Sequence, residues 1–169
     1  SAPMLSRVPL GTALLARYRG EPEIAWEQIT ALLPQGPETA PGDLIHQEGL
    51  ALLRLAAELC LDADDLPQAH CWLKAHGEWL AWSGSCLGRA EGLLTWARYA
   101  LADGADDVAR TRAVQARDEA HNQPLVRIGV LRFLGALAAA SGDYPLANSQ
   151  LLTALELANT CEAPFEQAV

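Results

Sequence analysis

Four times along the chain a small residue is followed twelve positions later by an alanine: Ala13 to Ala25, Ala57 to Ala69, Ala97 to Ala109, and Gly135 to Ala147. Seven positions after each leading small residue stands a turn former, Gly20, Asp64, Gly104 or Gly142. An acid follows directly or one residue later, at Glu21, Asp65, Asp106 and Asp143. The anchor alanines Ala25, Ala69, Ala109 and Ala147 are 44, 40 and 38 residues apart, and periods of this size mean stacked helical hairpins. The physical reason is steric. Two helices of a hairpin approach closely only if both carry Gly or Ala where they cross. The turn former takes the left-handed conformation that ends the first helix, and the acid caps the second. Pro22, Pro67 and Pro145 follow these acids within the first helical turn, where a missing N–H costs nothing.

Composition agrees with an all-α fold. Ala (31) and Leu (29) supply 60 of 169 residues, whereas Val, Ile and Thr together number 17, so helix formers far outweigh β-branched residues. A chain this long buries about 68–70% of its unfolded surface and needs neither metal nor disulfide to hold one domain together. Its 50% hydrophobic content excludes a disordered chain. The longest uncharged stretch, 144–155, is too short and too polar to span a bilayer. The apolar run 8–16 lacks a small-residue cleavage site and reads as a helix rather than a signal peptide. With a net charge of −9 and one lysine, Lys74, the chain repels phosphates, so direct nucleic-acid binding is not expected. Cys60, Cys71, Cys86 and Cys161 form no CxxC pair and read as reduced thiols of a cytoplasmic protein.

The pattern predicts helices over 8–19, 22–33, 43–62, 66–82, 85–102, 106–122, 125–141 and 144–159. They pair as hairpins 8–33, 43–82, 85–122 and 125–159. Breakers lie at 34–42, with three Pro and two Gly, and at 83–84, 121–124 and 160–164. None is long enough to be a domain linker, which predicts a single helical-repeat domain over 1–169. A stub, 164–169, reads as the opening of a ninth helix, so the chain is expected to be a fragment of a longer regulator.

Two resemblances sharpen this. Leu131-x-x-Leu134-Gly135-x-x-Ala138 followed by Ala147-x-x-x-Leu151 resembles a tetratricopeptide repeat. Leu93-x-x-Trp96-Ala97-x-x-Ala100 with Ala109-x-x-x-Ala113 repeats it, as does Leu53-x-x-Ala56-Ala57-x-x-Cys60 with Ala69-x-x-x-Leu73. The usual aromatic at the third apolar place is absent, the period exceeds 34, and the closing Pro is out of register. The resemblance implies a tetratricopeptide-like right-handed superhelix of four antiparallel hairpins plus the C-terminal stub. In addition, Trp72-Leu73-x-x-His76-x-x-Trp79-Leu80-Ala81-Trp82-Ser83-Gly84, Leu87-Gly88-Arg89-Ala90-Glu91-Gly92, Trp96-Ala97-Arg98-Tyr99 and Ala163-Pro164-Phe165-Glu166-Gln167-Ala168 are similar to the large LuxR-type, maltose-activator-like regulators. There a helical-repeat sensor region lies between a nucleotide-binding module and a DNA-binding helix-turn-helix. No GxxxxGK[ST] loop and no basic recognition helix stand in this sequence, so the resemblance implies the sensor part, with no catalysis, cofactor or metal of its own.

Candidate binding residues follow from the same likeness. In tetratricopeptide arrays the first helix of each hairpin lines a concave groove, at positions one and five after the leading apolar residue. Counting from Leu53, Leu93 and Leu131 selects Arg54, Glu58, Leu94, Arg98, Arg132 and Ala136, and Arg17 with Tyr18 extends the set. Arginines here clamp a carboxylate or phosphate bidentately, unless Arg54 and Glu58 form an ordinary i,i+4 surface pair. Trp72, Trp79 and Trp82 fall at i, i+7 and i+10 on one side of a helix. They pack between hairpins or, on the alternative reading, form an aromatic platform for a flat ligand. His70 and Cys71 are neighbours in sequence but point about 100° apart on a helix, which argues against a nucleophile–base pair. The expected partners are therefore a small inducer or a protein in the groove, with a second copy of the chain as a further candidate. A constitutive protein–protein scaffold is the alternative to a sensor.

Overall fold

Each turn former of the repeat adopts a left-handed backbone in the computed structural model, which describes residues 7–42 and 46–161. The φ angle is +73° at Gly20, +57° at Asp64, +78° at Gly104 and +80° at Gly142. All four turns close in the same way, the amide after the turn former donating to the carbonyl five residues back. These bonds are Glu21 to Ala16 at 2.9 Å, Asp65 to Cys60 at 2.8 Å, Ala105 to Ala100 at 2.8 Å and Asp143 to Ala138 at 2.9 Å. That is the long-range bond of a Schellman ending, which satisfies a carbonyl the helix leaves open.

The turns join eight α-helices into four hairpins among the described residues. They are α1 (Arg7–Arg19) with α2 (Pro22–Leu32), α3 (His46–Asp62) with α4 (Leu66–Ser83), α5 (Arg89–Ala102) with α6 (Asp106–Glu119), and α7 (Pro124–Ala140) with α8 (Tyr144–Thr160). A short 3-10 turn, Gly36–Glu38, lies between α2 and α3, and no strand occurs among the described residues. The chain divides into two compact units, Ser1–Gly88 and Arg89–Val169, each holding two hairpins.

The crossing residues do what the spacing requires. Ala13, Ala25, Ala57, Ala69, Ala97 and Ala109 are fully buried, and Ala147 nearly so. In the fourth hairpin the leading residue is Gly135, where an added methyl would lie 2.9 Å from Leu151 Cγ and 3.4 Å from the Ala147 carbonyl oxygen. In the first unit Ile29, Leu33, Leu52, Leu53, Leu55 and Leu73 fill the space beside these crossings. In the second, α7 seats its large residues on the third hairpin: Val130 and Leu134 join Leu94, Ala97, Ala113 and Ala116, while Leu137 meets Ala100 and Ala109. Ile128 and Leu131 pack on Ala154 and Ala158 of α8. Each such aliphatic side chain removed from water contributes about 1.5–3 kcal/mol.

Three details differ from the sequence expectation. Only two acids cap as expected: the Asp65 carboxylate accepts from the Gln68 amide and Asp143 from the Leu146 amide, both at 3.1 Å. Glu21 makes no side-chain cap, its side chain being a methylene longer than the residues that cap well, and α6 has Ala105 at its N-cap. The inserted Ala105 moves Asp106 inside the helix, where its charge meets the helix dipole instead of one amide. Next, α5 begins at Arg89 rather than at 85. Ser85 Oγ accepts from the Leu87 amide and donates to the Leu87 carbonyl, both at 3.1 Å, and Gly88 has φ +90°, so the segment is a turn. Finally, α6 stops at Glu119, three residues before the expected end. Residues 43–45 of the predicted third helix and the stub at 164–169 lie outside the described residues.

Candidate functional site

In the first unit Arg17 of α1 and Glu58 of α3, both among the candidate binding residues, come together with Asp62 as an ion-pair cluster. Arg17 donates from Nε and Nη2 to the two carboxylate oxygens of Asp62, at 2.7 and 3.1 Å, and from Nη1 to Glu58 Oε2 at 2.5 Å. Burial works against the Arg17 charge, but the Asp62 hydrogen bond and the fields of Glu58 and Asp62 prevail and hold its pKa above the ordinary value. Arg54 approaches Glu58 only to 3.9 Å, so Glu58 belongs chiefly to Arg17 rather than to its i,i+4 neighbour. Tyr18 stands exposed beside this cluster. The positive charge of Arg17 is thus balanced by the chain itself, and the cluster ties the first hairpin to the second. Asp62, the last residue of α3, was not singled out by the repeat count; its only sequence signal is an acid one turn beyond Glu58.

The second unit presents the other two arginines. Helix α7 approaches α5 at Gly129, where an added methyl would lie 3.7 Å from Leu94 Cδ2. One turn further along each helix stand Arg98 and Arg132, both half-buried. They are the fifth residue after Leu93 and the first after Leu131 in the repeat count. Of the other residues the count selects here, Leu94 is buried and Ala136 is exposed.

The three tryptophans of α4 differ in exposure. Trp72 is 5% exposed and Trp79 1%, while Trp82 alone is open at 58%. What covers the first two is the proline- and glycine-containing segment 34–42, which lies along α4 as a strap. A methyl added to Gly36 would lie 3.7 Å from Trp72 Cη2, and one added to Gly42 would lie 3.9 Å from Trp82 Cζ2. Between them, Trp79 Nε1 donates to the Thr39 carbonyl oxygen at 3.1 Å. On its other sides Trp72 meets Trp26 of α2, with ring centroids 6.0 Å apart, and the Trp79 ring occupies the space any side chain at Gly49 would need. The i, i+7, i+10 row is thus a seat for the chain's own loop.

Burial, then the nearby Asp65 and Cys71, push the Cys60 thiol up to about 11, which leaves it protonated and a poor nucleophile at neutral pH. His76 is 1% exposed with no hydrogen-bond partner for Nε2, and burial followed by the charge of Arg54 lowers its pKa to about 4. Among the described residues no three His, Cys, Asp or Glu side chains come together as a metal centre would need, and no helix is long and apolar enough to cross a membrane. A depression of about 350 Å³ lies on α6, lined by Asp107, Val108, Thr111, Arg112 and Gln115. The repeat count does not reach these residues, because they belong to the second helix of their hairpin.

No known family model matches the chain, and no curated protein sequence is significantly similar to it. Among solved structures it is similar to a Signal Transduction ATPase with Numerous Domains (STAND) protein with a tetratricopeptide repeat sensor from Pyrococcus horikoshii. The TM-score is 0.75 over 96% of this chain, at 16% sequence identity. The chain spans about a quarter of that protein's length, 24%. At this identity the likeness speaks to architecture: the chain has the all-helical, tetratricopeptide-like fold that its repeat foretold.

Proposed function

We propose that this chain is the sensing and protein-interaction domain of a larger multidomain regulator, without catalytic activity of its own. The observation that carries the reading is the fold: four hairpins with matched crossings and turns, similar over 96% of their length to part of a STAND protein with a tetratricopeptide repeat sensor. The local likeness of the stretch from Trp72 to Tyr99 to LuxR-type activators extends the proposal to a cytoplasmic bacterial transcription regulator, read as one repeat domain over 1–169. Arg98 and Arg132, selected by the repeat count on α5 and α7, are the residues proposed to hold an anionic inducer or an acidic peptide. Arg17, Tyr18, Arg54 and Glu58 form the corresponding face of the first unit. There the ion pairs of Arg17 with Glu58 and Asp62 serve as the contacts a ligand would rearrange. Binding that favours one curvature of the array over another transmits a signal to attached modules, and couplings of this kind are typically about 1–3 kcal/mol.

Thermal-shift screening against sugars, nucleotides and amino-acid derivatives tests the sensor reading, and an anionic hit is the expected result. Arg98→Ala and Arg132→Ala should each weaken that hit roughly tenfold or more, as loss of a charge-assisted hydrogen bond does. Unchanged affinity in both variants would remove the arginine pair. The second reading, a constitutive protein–protein scaffold, is favoured by the exposed Leu151, Leu152 and Leu155 of α8, which present apolar surface for a protein or a second copy. No hit at millimolar concentrations, with self-association by sedimentation, would favour it.

A further inference from the structure

We propose that the tryptophan row of α4 is a binding surface for an extended, proline-containing peptide segment, and that the strap 34–42 is its intramolecular occupant. The geometry is that of a ligand in a site. The strap passes Trp72, Trp79 and Trp82 in chain order, at Gly36, Thr39 and Gly42, and is hydrogen-bonded to the middle ring. Ten helical residues from Trp72 to Trp82 cover about 15 Å. The six steps from Gly36 to Gly42 follow that path at about 2.5 Å each, between the rise of a tight turn and the about 3.1 Å of a polyproline helix. The backbone is turned at Gly36–Glu38 and extended at Thr39, with φ −60° and ψ 120°.

Recognition is by backbone. The hydrogen bond is to a carbonyl oxygen and the strap passes the two flanking rings at glycines, so the surface reads an indole-to-carbonyl hydrogen bond flanked by residues without side chains. Aromatic rows that donate from an indole N–H suit proline-containing segments, because proline pre-sets an extended backbone and lowers the entropy lost on docking. Pro37 and Pro41 supply that stiffness on either side of Thr39.

The strap is also an imperfect occupant. Thr39 is buried, yet its Oγ1 has no hydrogen-bond partner, so the closed state leaves a desolvated hydroxyl at the point of tightest contact. A segment with an aliphatic residue at that place avoids this penalty. Trp82, open where the strap ends, gives an incoming segment its first contact. Exchange of strap for partner would release the connection between α2 and α3, a surface separate from the groove-face arginines.

The test uses the whole chain and a nine-residue peptide of the strap sequence with Val at the place of Thr39, followed by tryptophan fluorescence. Saturable binding is expected. It should strengthen about tenfold in Gly36→Val, where a β-branched residue cannot hold φ +61°, and weaken about tenfold in Thr39→Val, whose own strap is better seated. Trp79→Phe, which removes the donor, should abolish it. If Gly36→Val does not fold by circular dichroism, the double change Pro37→Gly, Pro41→Gly loosens the strap instead. No saturable response from a folded, loosened-strap variant would overturn the proposal, as would binding that survives Trp79→Phe.

Discussion

Replacing His76 by Leu should uncouple the stability of the first unit from acid. In the folded chain this imidazole is 1% exposed, its Nε2 is unbonded, and burial together with Arg54 lowers its pKa to about 4 from an ordinary 6.5. A lowered histidine pKa means that the unfolded chain takes up the proton first. Stability is therefore whole above about pH 6.5, falls as the pH drops toward 4, and loses nothing further to this group below that. A shift of about 2.5 units corresponds to about 3 kcal/mol in full, of which about 2 kcal/mol is already lost near pH 5. Leucine fills a similar volume and leaves no unpaired nitrogen. Urea unfolding of both proteins, followed by circular dichroism at about pH 7 and about pH 5, isolates the effect, because carboxylates that titrate in this range are common to both. At neutral pH His76→Leu is expected to be as stable as the parent or slightly more so, and near pH 5 more stable than it by about 2 kcal/mol. A difference that stays constant across this range would refute the assignment of a neutral, buried imidazole.

Other expectations follow from single contacts. Gly49→Ala gains about 1 kcal/mol of helix propensity but drives its methyl into the Trp79 ring, so a net loss of about 2 kcal/mol or more in urea midpoint analysis is expected. Asp65→Ala should cost about 1 kcal/mol, because its carboxylate holds the Gln68 amide, whereas Glu21→Ala, which breaks no cap bond, should be nearly neutral in the same assay. Exposed Cys71 and Cys86 should react promptly with a thiol reagent near pH 8, while Cys60, buried with its pKa raised to about 11, should react only on unfolding; mass spectrometry of the labelled protein distinguishes them.

The hairpins were legible in the sequence because their determinants are local. A crossing alanine, a left-handed turn residue and a capping acid all act within a dozen residues, and even Asp64 could be assigned to the same role as three glycines. Where the local rule failed, a local cause explains it: Ala105 stands where the other hairpins carry an acid, and Gly88 interrupts what reads as helix from 85. The side-chain partnerships were not legible. Arg17 meets Asp62 across 45 residues and Trp79 meets Thr39 across 40, and nothing in either neighbourhood signals the other. Helical spacing placed Trp72, Trp79 and Trp82 on one side of α4, but whether that side faced solvent depended on the route of the strap. The same holds for the groove face. Counting selected Arg98 and Arg132, but the approach of α7 to α5 at Gly129 and Leu94 could not be read from it.

The most direct measurement compares leucine substitutions at Ala57, Ala97 and Ala109, all fully buried at helix crossings, with leucine at the exposed Ala81 and Ala102. Leucine is a good helix former, so local propensity barely changes, and the contrast reports only whether the helices have room to separate. If small residues are what allow the hairpins to nest, each crossing variant loses about 2 kcal/mol or more in urea unfolding, or fails to fold, while both exposed controls keep the parent's midpoint. Crossing variants as stable as the controls would contradict the account.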